Sequence, residues 1–309
     1  MATGTGVTKW FAVNEVKLGF TPRGSTTKDP NAWREYGYDL DARLTTAEDS
    51  KDSVNSCKRR EGSLTKFLQD GGGGSDNNFG QHVLWSIEGF KPGAEDFVND
   101  GLKSGRYTLI LRIDNVTDGD NSRAPGALYL GGDFAGGKAK PTFTAADKWP
   151  INPLSLADGK TLSKPKVAFA NGYIRNGMWI SGNFGSDTVD LGPMLSGADI
   201  SLPVDSAVIT VKLDGSNGTI AGAVNTAKLQ SGLAPVARRL GLCEGNTAYT
   251  EVVKTLALAA DLVAGAPQLQ DTSRECDAIS LGYGFSMRPT TEPTALMAAA
   301  TEPAPDTCK

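Results

Sequence analysis

The stretch Arg106-Tyr107-Thr108-Leu109-Ile110-Leu111-Arg112-Ile113-Asp114 alternates apolar and polar side chains almost without a break. Tyr107, Leu109, Leu111 and Ile113 form one row and Arg106, Thr108, Arg112 and Asp114 the other, with Ile110 as the exception. A period of two places each row on its own face of an extended strand and fits no helix. This segment therefore makes β structure the frame of the chain.

Working outward, Val7 to Phe20 also reads as strand, with Phe11 and Val13 in one register and Val16, Leu18 and Phe20 in the other. The change of phase at Asn14-Glu15 predicts a bulge or two short strands. Toward the C-terminus, strands are expected at Ala127 to Leu130, Lys166 to Ala170, Tyr173 to Asn183, Thr188 to Leu191, Ser206 to Asp214 and Thr219 to Val224. Asp277 to Met287 follows, with Ile279, Leu281, Tyr283 and Phe285 on one face. Asp158-Gly159, Asn171-Gly172, Asn176-Gly177 and Ser216-Asn217-Gly218 supply turn signals between them. Short, regularly spaced strands predict a β-sandwich of the jelly-roll kind. A few helices join it. One is expected where Phe79, Val83, Ile87 and Phe90 recur, and another over Glu95 to Lys103. A C-terminal pair carries Leu229, Leu233, Val236 and Leu240 behind Thr226, and Val252, Val253, Leu256, Ala260 and Val263 behind Asn246 or Thr247. Pro235 falls inside the first of that pair, where a kink is expected. Residues 1–288 read as one domain. Residues 289–309 read as a Pro/Thr/Ala-rich tail with little capacity to bury itself.

Composition narrows the function. The chain has 309 residues and a formal charge of -4, so no basic field invites a nucleic acid. No apolar run of about 18 residues is present to span a membrane as a helix. Cys57, Cys243, Cys276 and Cys308 lack any C-x-x-C pairing, and His82 is the single histidine, which argues against a Cys/His zinc site. Two disulfides are expected, with Cys243 bonded to Cys276 and Cys57 to Cys308, in a protein secreted or held at the cell surface. The start Met1-Ala2-Thr3-Gly4-Thr5-Gly6 has no signal-peptide pattern and reads as a mature segment behind an added methionine.

The chemistry-bearing stretch is Asp70-Gly71-Gly72-Gly73-Gly74-Ser75-Asp76-Asn77-Asn78-Phe79-Gly80. Glycines bring backbone close to a ligand, and short oxygen side chains suit a hard cation or, equally, a turn and a helix cap. Asp39 and Asp41 share one face of an extended segment nearby in the sequence. Asp39, Asp41, Asp70, Asp76 and Asn77 are thus the candidate ligands of a structural calcium ion. The loop Asp114 to Asn121 is acidic too, but lacks the order and distal Glu of an EF-hand and reads as a solvated hairpin loop. Trp33, Tyr36 and Tyr38 are candidates for stacking on a sugar ring of a glycan or cell-surface partner, with Trp149 and Trp179 further aromatics; ordinary core packing is the alternative. His82 lies in a helical pattern, and no Gly-Lys-Ser/Thr follows the glycines to make a phosphate loop. Paired Asp/Glu residues leave open a glycan or polymer hydrolase beside the non-catalytic reading.

Three pieces together resemble a group of uncharacterised exported bacterial proteins, often made as lipoproteins. They are Asp70 to Gly80 as D-G-x-x-G-x-D-N-x-F-G, Gly218-Thr219-Ile220-Ala221-Gly222 as a strand entering a helix, and Cys276 to Phe285 as C-D-x-I-S-x-G-x-G-F. The likeness spans roughly residues 30 to 287. Ser75 stands where an apolar residue is expected, and Ala42 where glycine should follow Asp39-Leu40-Asp41. The resemblance implies export and a shared fold, and carries no assigned activity or catalytic residue.

Overall fold

The alternating stretch becomes a strand paired on both sides. A computed structural model describes residues 6–46, 56–64, 69–90, 92–182, 189–190, 202–239, 243–299 and 308. Its strands are β1 (Val7–Lys17), β2 (Cys57–Lys58), β3 (Thr108–Val116), β4 (Gly126–Gly131), β5 (Val167–Phe169), β6 (Tyr173–Arg175), β7 (Met178–Ile180), β8 (Val189–Asp190), β9 (Pro203–Lys212), β10 (Gly218–Asn225), β11 (Asp271–Glu275) and β12 (Ala278–Pro289). The main sheet runs β5-β4-β3-β1-β12-β10-β9-β7-β6, all antiparallel, with β8 paired to β9. The β1–β12 register skips Asn14, which is the expected bulge.

Among the described residues the architecture is one curled sheet rather than the two layers of a sandwich. β5 and β6 stand at opposite ends of the strand order, yet only Ala170, Asn171 and Gly172 separate them in the chain. The curl brings those ends together. Asn121 in the β3–β4 loop bridges to Ile174, and the Ala124 N–H donates to the Gly172 carbonyl at 2.7 Å. The Trp179 indole N–H donates to the Ala124 carbonyl, also at 2.7 Å. Hairpin turns are common to sandwiches and curled sheets; the pairing of β1 with β12 separates the two, and no local pattern encodes it.

The alternation sorts residues as read. Leu109, Leu111, Ile113, Phe11, Val13, Leu281, Tyr283, Phe285 and Trp179 share the main core with Phe79, Val83, Leu84, Val98 and Leu102 from the helical segments. Those segments are a π-helical turn over Phe79–Val83 running into α1 (Leu84–Phe90), then α2 (Ala94–Ser104). Ile110 is explained by a second apolar layer: with Trp10, Ala12, Ala127 and Tyr129 it packs on the opposite sheet face against Phe134, Trp149, Ile151 and Leu156. Both faces of β3 are therefore buried.

The C-terminal helical pair is α3 (Thr226–Arg239) and α4 (Thr247–Leu258). Asn225 caps α3 in place of Thr226, its side chain accepting from the Ala227 and Lys228 N–H groups. Asn246 caps α4, accepting from Tyr249 N–H at 2.7 Å. α3 continues through Pro235. Leu240 lies outside the described residues, as do Thr188 and Leu191 of the strand expected from Thr188 to Leu191, whose middle, Val189–Asp190, forms β8.

Two expectations are corrected. The disulfides are Cys57–Cys276 and Cys243–Cys308, because β2 lies parallel to β11 and delivers Cys57 to the start of the final strand. The expected Cys243–Cys276 bond would have closed a loop around the second C-terminal helix, whereas the observed Cys57–Cys276 bond follows the sheet. The segment after Pro289 is also no loose tail as far as Ala299. Thr290 N–H donates to the Trp10 carbonyl, Ile151 pairs with Leu296, and Asp133 N–H donates to the Ala298 carbonyl. It straps the second apolar layer; residues 300–307 lie outside the described residues.

Candidate metal centre

The site is built on the outer edge of β12. β1 pairs with β12 only as far as Lys17 opposite Gly284, so the first half of β12 has no β1 neighbour. The Asn77 side chain takes that place. Its amide N–H groups donate to the Trp33, Tyr36 and Gly282 carbonyls at 3.2, 2.7 and 3.1 Å, and its oxygen accepts from the Gly80 and Gly282 N–H groups, both at 3.0 Å. One residue on, Asn78 N–H donates to Ser280 Oγ at 2.7 Å, and the Asn78 amide donates to the Ala259 carbonyl. Ser280 in turn donates through N–H and Oγ to both carboxyl oxygens of Asp261, at 2.8 and 2.5 Å. Tyr36 lies across Gly282 and Gly284; a Cβ on Gly282 would stand 2.5 Å from the Tyr36 carbonyl, and one on Gly284 would enter the Tyr36 ring. The small residues of the C-D-x-I-S-x-G-x-G-F stretch are thus the bed on which the glycine-loop stretch lies.

That bed fixes two loops face to face. The Asp76 N–H donates to the Tyr38 carbonyl, and the Asp76 carboxylate accepts from Leu40 N–H at 2.6 Å. The turn closes with Gly71 N–H donating to the Ser75 carbonyl at 2.8 Å. At Gly74, φ is +79° and a side chain would press on the Arg43 carbonyl at 3.0 Å and on the Asp39 carboxyl carbon at 3.4 Å, so glycine meets both a conformational and a spatial demand. Ala42 is left-handed as well, with φ at +58°. The glycine expected there from the resemblance has a physical reason.

Between these loops Asp39, Asp41 and Asp76 bring carboxylate oxygens within 4.8 Å of one another. Asp41 and Asp76 are buried, at 3% and 2% exposure, while Asp39 faces solvent. Asp41 accepts from Ser56 Oγ and from Arg43 N–H at 2.8 Å. Asp70 accepts from Thr45 N–H at 2.5 Å. Burial pushes the Asp70 carboxyl up to about 7, with the charges of Asp41 and Asp39 adding to the effect. Burial likewise raises Asp76, helped by Asp41, Asp261 and Asp70, and it raises Asp41 and Asp261 too. Packed this closely, the ionised groups repel, so a proton or a cation is favoured among them.

Three of the five expected ligands, Asp39, Asp41 and Asp76, meet; Asp70 stands behind them, in side-chain contact with Asp76. Asn77 does not serve: both ends of its amide are committed to backbone, which corrects its assignment. The aromatic assignment is corrected for Trp33 and Tyr36, while Tyr38 is half-buried. Trp33 and Tyr36 are 2% and 0% exposed, Trp149 and Trp179 1% and 0%, and the Tyr38 hydroxyl is bonded to Thr210 Oγ1. No face of Trp33 or Tyr36 is open to a sugar. Asp261, Ser56 and Gln270 were not singled out in the sequence, since each reaches the site from a distant segment. Asp261 alone left a trace, lying between the second helix and the C-D-x-I-S motif that it grips.

No protein-family model matches the chain, and neither curated proteins nor solved structures match it.

Proposed function

We propose that this is an exported, non-catalytic β-domain protein whose glycine-loop carboxylates hold a structural calcium ion. The observation that carries the reading is the meeting of Asp39, Asp41 and Asp76 within 4.8 Å. The donors are all oxygen, as a hard cation requires, and calcium accepts six to eight oxygens at about 2.3–2.6 Å in flexible geometry. Asp39 stands on the solvent side and gives an ion its way in. Two disulfides fit an oxidising compartment, and among the described residues no helix is long and apolar enough to cross a membrane. The burial of Asp41 and Asp76 favours this reading over a hydrolase, since a polymer chain cannot reach both groups of such a pair. The cell surface or medium remains the proposed place of work, without aromatic stacking on glycans.

The test is thermal unfolding in excess EDTA and again in millimolar calcium, with magnesium as the comparison. An ion at 100 times its dissociation constant adds about 2.7 kcal/mol. For a chain of 309 residues that is a rise of roughly 4 °C in Tm. A Tm that calcium does not move rejects the reading.

A further inference from the structure

Asp41 is held in the cluster from behind by residues that belong to another element. Ser56 Oγ donates to its carboxylate, and the Gln270 side-chain amide donates to its backbone carbonyl at 2.7 Å. Gln270 also accepts from Arg43 Nε at 2.5 Å. Ser56 immediately precedes Cys57 and Gln270 immediately precedes β11. These two supports are joined through the small β2–β11 ladder, where Asp271 N–H donates to the Ser56 carbonyl at 2.7 Å and Cys276 N–H to the Lys58 carbonyl at 2.9 Å. A parallel ladder with two registered pairs, Asp271 with Cys57 and Glu275 with Lys58, has little holding power of its own. The Cys57–Cys276 disulfide closes it.

We propose that the Cys57–Cys276 disulfide is the clasp of the carboxylate cluster, so that the state of the bond and the charge held among Asp39, Asp41 and Asp76 are coupled. Repulsion among unneutralised carboxylates pushes Asp41 back onto Ser56 and Gln270 and opens the ladder; neutralising the cluster relaxes it. Coupling is reciprocal: whatever occupies the cluster protects the bond, and the bond tightens the cluster. The calcium arm of this inference rests on the cation reading above, whereas the charge arm does not.

Both cysteines are buried, Cys57 at 3% and Cys276 at 0% exposure, so a reductant reaches the bond only when the ladder opens locally. The rate of reduction therefore reports the clasp. Dithiothreitol, a dithiol, supplies two electrons and two protons: the S–S bond breaks to two thiols and the reagent closes to its cyclic disulfide. The two bonds are followed separately by quenched alkylation and peptide mapping on the full chain, in EDTA, in millimolar calcium, and in EDTA for Asp76→Asn. Calcium is expected to slow loss of Cys57–Cys276 by about tenfold or more, and Asp76→Asn to slow it severalfold without any metal, while Cys243–Cys308 changes less than about twofold. Equal rates for Cys57–Cys276 in all three conditions overturn the clasp, even if calcium still raises Tm and the cation reading stands. Slowing by Asp76→Asn with no calcium effect on either rate or Tm upholds the clasp and rejects the cation. As a second measure, Cys57→Ser/Cys276→Ser is expected to lose more than half of the calcium-induced Tm shift while Cys243→Ser/Cys308→Ser keeps it; full retention in the first variant also overturns the proposal.

Discussion

Replacing Asp76 with asparagine removes one negative charge from the carboxylate cluster and keeps an oxygen for the Leu40 N–H that Asp76 accepts at 2.6 Å. Two unit charges at the 4.8 Å limit of the cluster repel by about 3 kcal/mol at an effective dielectric of about 20. Neighbouring groups take up protons in place of bearing the whole repulsion, and Asp39 is solvated, so the net effect is about 1–3 kcal/mol. The sign depends on pH. Asp70, raised to about 7, has an unfolded value of about 3.9. A carboxyl raised in this way favours the fold while protonated, and that contribution is lost as pH rises from about 4 through about 7. In EDTA the wild type is therefore expected to weaken across that window. Asp76→Asn is expected to be more stable than wild type at pH 8, by roughly 2–5 °C in Tm, and close to it at pH 5. In millimolar calcium the order reverses, because the variant has lost a ligand. Differential scanning fluorimetry over pH 4–8, with EDTA or calcium, reads both effects. A variant that is less stable than wild type in EDTA by the same amount at pH 5 and pH 8, and that keeps the full calcium shift, refutes the reasoning and leaves Asp76 as a turn-forming hydrogen-bond acceptor alone.

Three further substitutions probe the frame around the site. Ala42→Gly is expected to stabilise the protein by about 0.5–1 kcal/mol in urea unfolding, because the left-handed backbone at +58° costs an L-residue more than glycine loses in chain entropy. Asn77→Ala leaves the Gly80 and Gly282 N–H groups and the Tyr36 carbonyl without this partner, and a loss of about 3 kcal/mol or more is expected in the same assay. Gly284→Ala drives a methyl into the Tyr36 ring, with an expected cost of about 1–3 kcal/mol; an unchanged denaturation midpoint would show that Tyr36 can move aside.

The period-two stretches carried their own structure. Leu109, Leu111 and Ile113, or Ile279, Leu281 and Tyr283, can bury one row of side chains only as strands, so their faces were legible from spacing alone, as was the bulge at Asn14. The Asn246 cap and the helical turns after Phe79 are equally local. The acidic and glycine content of the candidate site was also legible, and the three carboxylates that meet there, Asp39, Asp41 and Asp76, were among those named from composition and short-range pattern. What the sequence left undecided depends on which distant segments touch. Ile110 looked like an irregularity because the layer of Trp149 and Ile151 that covers it comes from residues far along the chain. A sandwich and a curled sheet share the same hairpins, and the β1–β12 pairing that separates them joins the two ends of the described fold. Spacing alone does not choose among the three pairings of four cysteines; the parallel contact of β2 with β11 paired Cys57 with Cys276. Asn77 and Asp76 are adjacent and chemically alike on paper, yet the open edge of β12 claims one for its backbone and leaves the other facing Asp41. An unpaired strand edge must find hydrogen-bond partners, and only the assembled sheet reveals where that edge is.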